Sequence, residues 1–141
     1  MSSEIIVALI AFLTAIVSYL FTKKHERDAE LRKEKLEHYK EFAVSLSGIV
    51  SGEFNPEGQR AFSLACNKLN LVAPQAVLNA LQKFQTEIKS TNTEKSQDAH
   101  DKLMSTLFYE MRRDLGVSPS DDKDTFNVGL WAPGQPLKSE K

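Results

Sequence analysis

Residues 5–21 form an uninterrupted apolar run, and this run restricts the fold more than any other feature of the chain. The segment contains no charged residue, and its only polar members are Thr14, Ser18 and Tyr19. As an α-helix rising about 1.5 Å per residue, the run and its flanks extend roughly 27–30 Å, which matches the hydrocarbon core of a bilayer. We therefore predict that residues 1–22 are a transmembrane anchor.

A secretory signal peptide is the competing interpretation of the same run. Signal peptides begin with basic residues and end at a cleavage site flanked by small residues. Here Glu4 is the only charged residue ahead of the run, and the bulky sequence Tyr19-Leu20-Phe21 occupies the place of the cleavage site. These departures favour an anchor that is not cleaved.

The charges beside the run predict its orientation. Lys23, Lys24 and Arg27 follow the run directly, whereas no Lys or Arg precedes it. Because basic residues accumulate on the cytoplasmic side of membrane helices, we expect the N-terminus outside and the C-terminal part in the cytoplasm. The single cysteine, Cys66, agrees with a reducing compartment, since no intrachain disulfide can form.

The apolar run also carries a stripe of small and hydroxylated side chains. At about 100° per residue the members of this stripe fall within an arc of roughly 120°, while large side chains fill the rest of the helix. Small side chains let membrane helices approach closely, so the stripe favours association with a second copy or with another membrane protein. Chance is the alternative, because Ala is common in membrane helices. The stripe consists of Ala8, Ala11, Thr14, Ala15, Ser18 and Thr22.

Residues 23–116 predict a compact helical domain. Apolar residues recur there at the three-to-four-residue spacing of helices that pack on a globular core, without the alternation typical of β-strands. No Gly or Pro occurs between the apolar run and Gly48, so we expect the membrane helix to continue into this domain. The predicted fold class is all-α: a transmembrane helix that continues into a small cytoplasmic bundle of about four helices.

Local signals place the ends of the other helices. Asn55 and Pro56 suit the first positions of a second helix that runs to about Val72, and Pro74 opens a third. A last helix from about Ser96 to Leu115 ends at Gly116. The predicted core residues are Leu36, Tyr39, Phe42, Ala43, Leu46, Ile49, Val50, Phe62, Ala65, Cys66, Leu69, Val77, Leu78, Leu81, Phe84, Ile88, Leu103, Met104, Leu107, Phe108 and Met111.

Residues 117–141 are rich in turn formers and predict an irregular tail. A short apolar island within the tail contains Phe126, Leu130 and Trp131. These side chains are expected either to fold back and cover the bundle or to serve as a docking peptide for a partner. Covering is the preferred interpretation, because a small bundle needs apolar cover.

The sequence offers little for catalysis, metal binding or nucleic-acid binding. The net charge of −1 lacks the basic excess that nucleic-acid binding needs. The three histidines are scattered, and the acidic residues 121–124 lack the central Gly and the terminal Glu of a calcium loop. Cys66 lies on a predicted core face, where a thiol acts as a small hydrophobe. We therefore predict no enzymatic activity, no catalytic residue, no cofactor, no metal and no nucleic-acid partner.

The spacing of one arginine and one histidine, in contrast, is compatible with an enzyme. Arg32 and His38 match the R-x(4–6)-H pattern of HEPN-type ribonucleases, which are also small helical domains. A helix rich in Lys, Arg and His produces such spacings by chance, and Lys33 stands where a polar residue usually follows the Arg. The charged helix face is therefore the preferred explanation.

Two segments carry a resemblance to known proteins. Residues 31–40 contain an L-x-x-x-K-L-x-x-Y-K pattern, and residues 111–116 contain M-R-x-D-L-G. With the N-terminal membrane helix, the chain resembles uncharacterised small bacterial single-pass membrane proteins that carry a cytoplasmic helical domain and have no assigned activity. The resemblance implies bacterial origin and anchoring in the inner membrane.

These features lead to three functional hypotheses. The first is a non-enzymatic, membrane-anchored helical module that self-associates or recruits a partner; the bilayer itself and a second copy or another membrane protein are its expected partners. The second is a membrane-perturbing or pore-forming effector, for example in phage defence. The third is a HEPN-like ribonuclease that uses Arg32 and His38.

Overall fold

A computed structural model describes residues 2–50, 55–117 and 120–130. Its helices are α1 (Ser3–Val50), α2 (Pro56–Val72), α3 (Gln75–Ile88) and α4 (Gln97–Leu115). The described residues contain no β-strand, so the all-α prediction is confirmed. The chain divides into two units, Met1–Glu34 and Lys35–Lys141.

The first unit is the amino-terminal part of helix α1. As the absence of interior Gly and Pro predicted, the helix does not stop where the apolar run ends. It continues through alternating charges, of which Lys23 and Glu26 form an exposed ion pair of 3.1 Å one turn apart. Such a pair adds only tenths of a kcal/mol to helix stability. In this stretch the helix is therefore stabilised by its backbone hydrogen bonds and by the helix propensity of its residues rather than by packing.

The second unit starts with the carboxyl-terminal part of α1 and contains the other three helices. The Asn55 side chain accepts hydrogen bonds from the N–H groups of Glu57 and Gly58, at 3.1 and 3.2 Å. Ser96 caps α4 in the same way, and Gly116 ends it with a φ of 67° that disfavours side chains. The predicted helix ends are thereby confirmed to within one residue.

The core of the second unit draws on all four helices. Its centre includes Phe42, Leu69, Phe84 and Leu107, each of which is fully buried. Most predicted core residues are buried, and Ile49, Ile88, Leu103 and Phe108 pack against the core at its edge. The full set of buried apolar residues is Tyr39, Phe42, Leu46, Phe62, Ala65, Cys66, Leu69, Val77, Ala80, Leu81, Phe84, Met104, Leu107 and Met111.

The prediction is wrong for Leu36, which is 37% exposed. Ala43 and Leu78 are only partly buried, and the side chain of Val50 lies outside the described residues. The predicted apolar stripe in this part of α1 is wider than the face that is buried. Only the side of the helix with Tyr39, Phe42 and Leu46 packs into the core.

Two glycines bring the end of α1 and the start of α2 together. A Cβ atom built on Gly58 would lie 2.6 Å from the carbonyl oxygen of Gly48, and one built on Gly48 would lie 3.0 Å from the Gly58 Cα. The obstructing atoms are backbone, which cannot move aside as a flexible side chain can. Glycine at both positions therefore permits the close crossing that begins the packing of α2 against α1.

Candidate functional site

The apolar run is the most distinctive surface of the first unit. Every large hydrophobic side chain from Ile5 to Phe21 is 40–72% exposed among the residues that the structure describes. Helix α1 is the one helix among the described residues that is long and apolar enough to cross a membrane. A core helix of similar composition would be buried, so this helix needs an apolar environment that the described chain does not supply.

The small-residue stripe lies within this exposed stretch. All six of its members are exposed. Thr14 donates its hydroxyl to the carbonyl oxygen of Ile10 at 2.8 Å, so this hydroxyl is satisfied within its own helix and suits a lipid-facing or helix-facing position. The stripe offers a shallow surface on which another helix backbone can approach closely.

The basic residues that follow the run are exposed as well. Lys23 pairs with Glu26, and the ring of His25 stacks on Phe21 with centroids 6.4 Å apart. Lys24 and Arg27 are exposed. This sequence of an aromatic ring and then cations suits the boundary between hydrocarbon and water, where rings and positive charges accumulate.

The two residues of the ribonuclease hypothesis belong to different units. Arg32 is exposed in the first unit, whereas His38 is partly buried in the second. The His38 Nδ1 lies 3.7 Å from Glu41, and Lys68 of α2 donates to the same Glu41 carboxylate at 2.6 Å. This hydrogen bond from Lys68 is the main cause that lowers the pKa of Glu41. His38 therefore belongs to a polar contact between α1 and α2.

Residues 121–130 dock on helix α4. The Phe126 and Tyr109 rings pack edge to face with centroids 5.9 Å apart, and the Arg112 guanidinium lies 5.4 Å from the centre of the Phe126 ring. Leu130 packs against the core as a partly buried side chain. Two of the three proposed partner-contact residues thus have contacts within the chain, and Trp131 lies outside the described residues.

Polar groups reinforce this docking. Ser105 is buried; its hydroxyl donates to Asn127 and accepts from the Val128 N–H, both at 3.0 Å. Arg112 pairs with Asp121 at 3.0 Å, and Lys123 pairs with the buried Glu110 at 3.2 Å. Arg113 also lies 3.8 Å from Glu110. Sequence periodicity assigned no role to Ser105 or Glu110, because their burial depends on a segment that lies far along the chain.

A second polar cluster joins α1 to the end of α4. The Asp114 carboxylate accepts hydrogen bonds from Lys35 at 3.0 Å and from the Tyr39 hydroxyl at 2.7 Å. Tyr39 is only 5% exposed. Burial raises the pKa of Tyr39 above its ordinary range, and the hydrogen bond to Asp114 and its negative charge raise it further. The cluster is a fixed contact that orients the first helix of the core against the last.

This raised pKa predicts that the second unit loses stability in alkali. The unfolded chain releases the Tyr39 proton near pH 10, while the folded chain retains it, so the free energy of unfolding should fall by about 1.4 kcal/mol per pH unit above about pH 10. Below that pH the contribution of Tyr39 is fully present. Urea unfolding followed by circular dichroism at pH 8 to 11 measures this slope. Tyr39→Phe should be less stable at pH 8 but show a shallower alkaline slope; an equal slope would rule out Tyr39 as the cause.

The polar side chains beside the start of α4 also hold structure together. A surface cleft beside the start of α4 is lined by Glu87 and His100, among others. The Glu87 carboxylate accepts a hydrogen bond from the Ser96 N–H, and the Glu87 backbone carbonyl accepts one from the Asn92 side chain, both at 2.9 Å. The His100 ring packs 5.3 Å from Phe84. The described residues hold no group of three His, Cys, Asp or Glu that could bind a metal ion, and their buried side-chain polar atoms all have partners.

Comparisons with protein-family models, with curated proteins and with solved structures found no match. Two surfaces of the described residues are relevant to function: the exposed apolar run with its stripe, in the first unit, and the face of α4 that contacts residues 121–130, in the second.

Proposed function

We propose that the protein is a membrane-anchored helical module whose single span also joins copies to one another. The span places the N-terminus outside and the second unit in the cytoplasm, at the inner membrane of a bacterium. Its role is to hold the helical unit at the membrane as an assembly, without catalysis. The observation that carries the proposal is the exposed apolar run of α1 with small residues along one side.

Anchoring is energetically favourable because the exposed apolar surface of α1 is large. Removing one large apolar side chain from water stabilises a protein by roughly 1.5–3 kcal/mol. Residues 5–21 expose a dozen such side chains, from Ile5 to Phe21. A bilayer covers all of them at once, and the helix meanwhile satisfies its own backbone hydrogen bonds.

The case for association comes from the stripe. Lipid tails are as apolar as Leu, so membrane helices associate through close packing rather than through the hydrophobic effect. Ala8, Ala11 and Ala15 recur at three- and four-residue steps, which places them along one side of α1. The basic flank formed by Lys23, Lys24 and Arg27 supports the proposed orientation.

The test is the mass of the full-length protein in mild detergent. We expect a defined oligomer for the natural sequence and a monomer for the triple variant Ala8→Leu, Ala11→Leu, Ala15→Leu, because the added side chains separate the helix backbones. A matched control adds bulk on the opposite side through Leu9→Phe, Leu13→Phe and Ile16→Phe and should keep the oligomer. A monomeric natural protein, or an unchanged mass for the alanine variant, contradicts self-association through the stripe.

A further inference from the structure

The face of α4 covered by residues 121–130 has the composition of a peptide-binding surface. We use the name docking face for Ser105, Tyr109, Glu110 and Arg112, and C-terminal segment for residues 121–130. The face offers a hydroxyl that donates and accepts, an aromatic ring, a buried carboxylate and a guanidinium. The segment supplies the complementary groups in an irregular conformation.

We propose that the docking face binds the C-terminal segment of a second copy as well as its own, so that neighbouring copies exchange segments. This inference depends on the proposed function, which brings copies together in the membrane. The occupant is defined by the contacts themselves: any second copy carries the same Asp121, Phe126 and Asn127 that fit the face within one chain.

The contacts that hold the segment are of an exchangeable kind. Its ion pairs are open to water on the basic side, since the side chains of Arg112 and Lys123 are 37% and 55% exposed, whereas their partners Asp121 and Glu110 are 21% and 7% exposed. Exposed pairs are weak and are screened by salt. Of the segment's apolar side chains, Phe126 and Leu130 are only partly buried, which contrasts with the fully buried residues of the core.

The segment also keeps its own local shape. The Asp122 carbonyl oxygen accepts from the N–H groups of Thr125 and Phe126, at 3.3 and 2.9 Å. The Asp122 carboxylate accepts from the Asp124 N–H at 2.9 Å. Because this turn is closed by bonds within the segment, it presents the same groups to the docking face of either copy.

Chain geometry sets a limit on the exchange. Five residue steps separate Gly116, which ends α4, from Asp121, and an extended chain spans at most about 3.6 Å per residue. Gly116 of one copy must therefore come within roughly 18 Å of the place that Asp121 occupies beside Arg112 of the other copy. A span that associates would raise the effective concentration of one copy beside the other far above that of free chains.

Complementary charge reversals test the exchange in full-length chains. One chain carries Arg112→Glu and the other Asp121→Arg; each is mismatched within itself and with its own kind. In the mixed pair, each docking face meets a segment of opposite charge. The two chains are produced together with different tags in one membrane, and the fraction of mixed assemblies is measured by tag capture at low salt.

We expect a several-fold excess of mixed assemblies over the proportion that random pairing gives. When both reversals are placed in one chain, its docking face matches its own segment. Differently tagged copies of that chain should therefore pair at random. As a matched control, Glu41→Lys in one chain and Lys68→Glu in the other reverse an exposed ion pair between α1 and α2 and should also give random pairing.

The outcomes separate this inference from the proposed function. Random pairing of the Arg112→Glu and Asp121→Arg chains, while the natural protein is an oligomer, overturns segment exchange and leaves the assembly through the span intact. No mixed capture at all, together with a monomeric natural protein, overturns both.

Discussion

The Phe42→Ala variant is expected to lose about 3–5 kcal/mol of the free energy of unfolding of the second unit, because it leaves a cavity in a closed core. Phe42 has no exposed surface and packs against the Phe62 ring at 5.6 Å. A small domain has only about 5–15 kcal/mol of stability in all, so this single change removes a large part of it. The prediction therefore also tests whether the Tyr39, Phe42 and Leu46 side of α1 is part of the core.

Cys66 provides a direct measurement of this loss. It is the only cysteine in the chain and is 2% exposed, and burial raises the pKa of its thiol. A thiol reagent reaches it when the second unit opens, whatever detergent surrounds the span. The expected loss corresponds to labelling that is faster by about two to nearly four orders of magnitude.

Val44→Ala is the matched control for this measurement. Val44 lies two residues further along the same helix but is 73% exposed, so its truncation should change stability by no more than about 0.5 kcal/mol. Labelling of Cys66 at equal rates in the Phe42→Ala and Val44→Ala chains would contradict the placement of Phe42 at the centre of the core.

Signals that act within a few residues made the helices predictable from sequence. The Asn55-Pro56 start and the Gly116 end depend on hydrogen bonds and φ preferences of neighbouring residues. The core faces of α2 to α4 also follow from periodicity, because each of these helices packs along one side. The exposed apolar run could likewise be recognised from composition alone, because it is defined by consecutive residues and not by contacts with another helix.

The polar contacts could not be predicted in the same way. Tyr39 and Asp114 are 75 residues apart in sequence, and Ser105 is 22 residues from Asn127. Periodicity assigns a side chain to a helix face but does not say which residue of another helix it meets. Glu110 shows the difficulty best, because a carboxylate on an amphipathic helix is expected to be exposed, yet here it is buried beside Lys123 of the docked segment.

Removing the Asp114 carboxylate is the change with the next largest expected effect. Asp114→Ala leaves the buried Tyr39 hydroxyl and the Lys35 ammonium without their shared acceptor. A buried donor that loses its partner costs about 1–3 kcal/mol, and loss of the charged partner of Lys35 adds to this, so we expect a loss of about 2–4 kcal/mol.

Asp114→Asn separates the carboxylate's charge from its role as an acceptor. The amide oxygen can still accept from Tyr39, but the amide cannot balance the Lys35 charge, so the loss should be about half that of Asp114→Ala. Asp124→Ala is the control, because this carboxylate lies in an exposed turn and its removal should cost less than about 0.5 kcal/mol. Urea unfolding of the three full-length variants in mild detergent measures the order. Equal stability of the Asp114→Ala and Asp124→Ala chains would show that the cluster of Lys35, Tyr39 and Asp114 does not hold α1 to α4.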